Sequence, residues 1–99
     1  MIKILYSKKI GHLLVSGHSE YASKGNDIVC AGISAILYAG INTLSKDSFQ
    51  ITIDDGFAEV KAKDKKISEK DAIVFDVMLN GFKSIQEQHS KNITIKEEE

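Results

Sequence analysis

The stretch Phe49–Ala62, with Asp55-Gly56 at its centre, constrains the fold more than any other part of the chain. Apolar and polar residues alternate on both sides of the Asp-Gly pair. That is the pattern of a two-residue type I′ hairpin, whose central positions both need positive φ. The register pairs Ile53 with Ala58, Ile51 with Val60 and Phe49 with Ala62 on one face. Gln50, Thr52, Glu59 and Lys61 share the other face, with Phe57 as the exception. The hairpin should therefore bury one face and keep the other wet.

The rest of the chain supplies more strands and the helices to cover them. Ile2, Ile4 and Tyr6 alternate with Lys3 and Leu5 over residues 2–6, and residues 12–16 read as a second strand, a hairpin partner of the first. His12 reads as a solvated strand residue. A helix capped by Asn26 or Asp27 should run to about Lys46, with Ile28, Val29, Ile33, Ile36, Leu37, Ile41 and Leu44 at helical spacing. Gly32 and Gly40 weaken that helix by about 1 kcal/mol each relative to alanine. Together with Ala31, Ala35 and Ala39 they form a small-residue surface suited to close packing on a sheet.

After the charged run at residues 63–66, Ser68 caps a second helix that carries acids in its first turn. Its stripe is Ala72, Phe75, Leu79, Phe82 and Ile85, and His89 falls at its end, where a cation suits the helix dipole. Residues 92–96 read as a short last strand, and Glu97, Glu98 and Glu99 as a disordered acidic tail. The order is ββαββαβ. The fold class is α+β: a small, mostly antiparallel or mixed sheet with two helices packed on one face, in a single domain over residues 1–96.

Composition narrows the function. All 13 basic side chains are lysines, set against 14 acidic ones, so neither a guanine-reading arginine nor a strong positive field is present. Direct nucleic-acid recognition and membrane-surface binding are disfavoured. One cysteine cannot form an internal disulfide. No signal peptide or membrane span is visible, and a cytoplasmic protein is expected.

Chemistry concentrates between the second strand and the first helix. His18 follows the strand, and the loop Ser19–Asn26, with Glu20, Tyr21 and Gly25, lacks periodicity. Cys30 lies in the first turn of the helix, where free N–H groups and the helix dipole favour a thiolate. An imidazole nearby would serve as its base, and the Val29 and Cys30 N–H groups as oxyanion donors. Asp27 and Ser34 share the helix face of Cys30: Asp27 as cap or as a partner of His18, Ser34 bonded near the thiolate or to its own helix. Lone cysteines are also commonly small buried hydrophobes, so spacing alone leaves catalysis and packing open. His18 and Cys30 have no third and fourth ligands, so no metal and no cofactor are expected.

Ser16-Gly17-His18, an eight-residue spacer and the run Asp27–Ala35 together resemble the motif of the bacterial ribosomal-processing cysteine proteases, the Prp family. The likeness extends along nearly the whole chain. It implies a homodimeric cysteine endopeptidase that removes the N-terminal extension of a large-subunit ribosomal protein, number twenty-seven. The family roles fall on Cys30 as nucleophile and His18 as general base, with Asp27 and Ser34 in support. The loop with Ser19, Glu20, Tyr21, Gly25 and Asn26 would close over the substrate. The rival expectation is a non-catalytic, dimeric, ribosome-associated protein that binds a peptide or assists assembly.

Overall fold

Alternation along the strands and helical spacing between them resolve into seven elements. In the computed structural model, which describes residues 1–17, 27–64 and 66–98, these are β1 (Ile2–Ser7), β2 (His12–Ser16), α1 (Ile28–Thr43), β3 (Phe49–Asp54), β4 (Phe57–Ala62), α2 (Glu69–Gln88) and β5 (Ile93–Glu98). The sheet runs β3-β4-β2-β1-β5. Every neighbouring pair is antiparallel except β1 and β5, which are parallel. The expected α+β order and mixed sheet are therefore observed.

Register explains why one face is dry. Tyr6 opposes Leu13, Ile4 opposes Val15, Leu13 opposes Val60, Val15 opposes Ala58, and Ile2 lies beside Ile93. All these side chains share one face and join Val29, Ile33 and Leu37 of α1 and Val74, Phe75, Met78, Leu79 and Phe82 of α2 in one core. Phe75 anchors it, with its ring 5.6 Å from both Tyr6 and Phe49. The Tyr6 hydroxyl is buried without a hydrogen-bond partner among the described residues. Burial, with Asp76 and Glu97 adding to it, pushes this phenol up to about 12.

Several expectations are corrected. Asp55-Gly56 joins β3 to β4 in the expected register, but the turn is not type I′. Gly56 alone takes positive φ, at 67°, while Asp55 keeps an ordinary backbone and donates its N–H to the Asp54 carboxylate at 2.7 Å. The hairpin face is only partly buried: Phe49, Ala58 and Val60 are covered, but Ile51 and Ile53 are exposed because β3 is an edge strand. His12 is not solvated; its Nε2 lies 2.7 Å from Glu59 on β4. Glu97 and Glu98, expected in a disordered tail, extend β5 opposite Tyr6 and Ser7.

The small residues of α1 also divide differently. Gly32 and Gly40 face α2 rather than the sheet. A methyl at Gly32 would come within 2.9 Å of Ile85 Cδ1, one at Gly40 would overlap Met78, and one at Gly81 of α2 would sit 2.8 Å from Ile36 Cδ1. Ala31, Ala35 and Ala39 remain exposed.

α1 stops at Thr43, short of Lys46, and a buried carboxylate holds the exit. Asp71, 2% exposed in the first turn of α2, accepts the Ser45 N–H at 2.9 Å, while its own N–H donates to the Ser68 hydroxyl at 3.1 Å. Burial alone would raise its pKa. The hydrogen bonds from Ser45 and Ser68, with the Lys70 charge, instead lower it below the usual carboxylate range. A carboxyl lowered in the fold stabilises it above the unfolded value of about 3.9 and loses that contribution as pH falls through the folded value. Asp71→Ala should cost about 1–3 kcal/mol in urea unfolding at pH 7. The gap to the unsubstituted protein should narrow on acidification.

Candidate active site

Asp27 builds the start of α1. Its backbone is extended (φ −83°, ψ 102°), and its Oδ1 accepts the N–H of Val29 at 2.9 Å and of Cys30 at 3.0 Å. Its carbonyl accepts the Ala31 N–H at 3.1 Å. This is the N-cap arrangement in which a short acidic side chain satisfies donors that lack a helical partner. The Val29 and Cys30 N–H groups, expected as oxyanion donors, are here engaged by the Asp27 carboxylate.

Cys30 is half-buried. It packs against the core yet also lines an open cleft, so it is not a sealed core thiol. Ser34, one turn further along α1, is exposed and lines the same cleft, as does Asp27. The structure thus brings together three of the four expected catalytic and supporting residues. His18 and the expected loop positions Ser19, Glu20, Tyr21, Gly25 and Asn26 lie outside the described residues.

Gly17, the last described residue before this segment, is held firmly. Gly17 takes φ 92°, and a Cβ there would overlap the Met1 carbonyl oxygen. Its N–H donates to the Gly56 carbonyl at 2.8 Å, tying the end of β2 to the tip of the β3–β4 hairpin. Both the left-handed backbone and the space require glycine.

The cleft has a volume of about 770 Å³ and lies between α1 and that hairpin tip. Ile2, Val15, Ile33, Leu37 and Ala58 form its apolar floor. α1 lines it with Cys30, Ser34 and Tyr38, and the hairpin with Ile53, Asp54, Asp55 and Phe57. Among the described lining residues the charged groups are Asp27, Asp54 and Asp55, all acidic. Tyr38, Ile53 and Phe57 were not anticipated as site residues. Tyr38 carried a signal, since it follows Cys30 and Ser34 at successive four-residue steps. Ile53 carried none, because its alternation reads as core.

The model of the family described as "Cysteine protease Prp" matches residues 1–94. The chain belongs to this family. It is accordingly a cysteine protease, which decides against the non-enzymatic reading. It is 33% identical over 98 residues to the ribosomal processing cysteine protease Prp of Mycoplasma genitalium, covering 99% of this chain and 97% of that one. It is 29% identical over 92 residues to the Staphylococcus aureus protein of the same name, covering 88% and 86%. The fold superposes with a TM-score of 0.89 on the S. aureus Prp crystallised with a covalently linked product peptide, at 25% identity and coverage of 99% and 100%.

Gly17→Ala should lower stability by about 1–3 kcal/mol, because the residue would hold a strained backbone against the Met1 carbonyl. Chemical denaturation checks this directly. Cleavage by the folded fraction should slow as well, since the residue immediately precedes His18.

Proposed function

We propose that Cys30 is the nucleophile and His18 the general base of a cysteine endopeptidase that removes the N-terminal extension of large-subunit ribosomal protein twenty-seven. One observation carries the first assignment: a cysteine protease with a single cysteine has that residue on the wall of an open cleft. The ribosomal substrate is supported by the relatives, which are ribosomal processing proteases.

In this reading an extended peptide enters the cleft, and the Cys30 thiolate attacks the scissile carbonyl. A carbon–sulfur bond forms, the carbon–nitrogen bond breaks, and His18 delivers its proton to the departing amine. Water, deprotonated by His18, then hydrolyses the thioester and restores the thiol. Asp27 sets the first turn that presents Cys30, Ser34 borders the attacked group, and the 19–26 segment covers the substrate. The enzyme works without metal or cofactor as a cytoplasmic homodimer. Exposed Ala35 and Ala39 support the dimer, since they let a second copy approach α1 closely.

Incubation with the extended ribosomal protein, followed by intact mass, tests the reading. The unsubstituted enzyme should make a single cut near the N-terminus, and Cys30→Ala should make none while keeping its circular dichroism. Retained cleavage by that variant would remove Cys30 from the mechanism. His18→Ala should slow cleavage by about a hundredfold or more. It should also slow alkylation of Cys30 by iodoacetamide, and an unchanged alkylation rate would break the dyad.

A further inference from the structure

The cleft is larger than the chemistry at Cys30 needs, and most of its lining residues are apolar. Tyr38, Ile53 and Phe57 line it with relative exposures of 46%, 44% and 37%. Large apolar side chains left this open around a concave surface mark a binding site rather than a core. Cys30, Ser34 and Tyr38 follow one another at four-residue steps along a single wall, so Tyr38 shares that wall with the nucleophile. At about 1.5 Å rise per residue, Tyr38 stands about 12 Å along the α1 axis from Cys30. An extended peptide covers that distance in about three to four residues, at about 3.3 Å each.

We infer that Tyr38 and Ile53 are specificity-determining residues that hold an apolar substrate side chain three to four positions from the bond Cys30 attacks. This rests on the assignment of Cys30 as nucleophile. Leu37, next to Tyr38 in sequence, and Ala58, paired with Ile53, are buried residues of the same lining and offer no charge or hydrogen-bonding side chain, so the surface selects aliphatic or aromatic groups over polar ones. A peptide substrate is the occupant this surface fits, because the surface shares a wall with the nucleophile. The charged groups among the described lining residues are Asp27, Asp54 and Asp55, with no lysine, so a peptide with neutral or basic neighbours is favoured.

A peptide series tests the subsite. A single leucine is moved along an otherwise alanine-rich cleavable peptide, from one to six positions on either side of the cut, and kcat and KM are measured for each. With the unsubstituted enzyme, leucine at the third or fourth position on one side should raise kcat/KM about tenfold over alanine, mainly through KM. Tyr38→Ala and Ile53→Ala should each erase that preference. Tyr38→Phe, which keeps the ring, should retain it, as should Val77→Ala on the exposed face of α2. Preference surviving both alanine variants would overturn the inference. So would a fall in sedimentation coefficient in either variant, which would give the surface to a second copy. Cys30→Ala is run beside them: its inactivity with an undisturbed leucine preference in Tyr38→Ala discards the subsite alone, whereas its retained activity discards the nucleophile assignment beneath it.

Discussion

Burial of one face of a five-stranded sheet beneath two helices is the constraint on which the remaining features depend. Each strand contributes its alternate residues to that face, so a one-residue slip in any pairing would turn Ile4, Leu13 or Val60 into water. The helices must then lie side by side on the same surface. Asp71 reinforces this by bonding the exit of α1 from the start of α2, across 26 positions of sequence. Sheet, helix pair and buried carboxylate therefore stabilise one arrangement.

That arrangement leaves the β3 edge and the hairpin tip uncovered, and the cleft lies there. Its two walls are organised by small, local devices. Asp27 shapes the first turn of α1 by accepting two N–H groups, and Gly17 joins the end of β2 to the hairpin through Gly56. Because the Asp27 carboxylate engages the Val29 and Cys30 N–H groups, negative charge on an attacked carbonyl must find other donors or displace the cap. Helix capping and catalysis thus meet at one side chain.

Much of this was legible in the sequence, for identifiable reasons. Alternation gave the strands, and the Asp-Gly pair set the hairpin register, because both signals are local. The turn type was not legible, because Asp55 keeps an ordinary φ and only Gly56 adopts the left-handed one. The spread of the helical layer was not legible either. Alternation marks which face of β3 is apolar, not how far α1 reaches over it, so exposed Ile51 and Ile53 read as core. The His12–Glu59 pair and the Ser45–Asp71 bond join residues distant in sequence, which no local pattern reveals. The cysteine motif was legible because its residues cluster around one helix start. The geometry of His18 and of its following loop lies outside the described residues.

The glycines at the α1–α2 contact have a consequence for the opposite side of α1. Gly32 lies against Ile85, Gly40 against Met78 and Gly81 against Ile36, so each helix seats the end of a side chain on bare backbone of the other. The contact works like a key in a slot: it fixes how α1 is rotated about its own axis. With the glycine face turned to α2, the face that carries Cys30, Ser34 and Tyr38 is left to line the cleft.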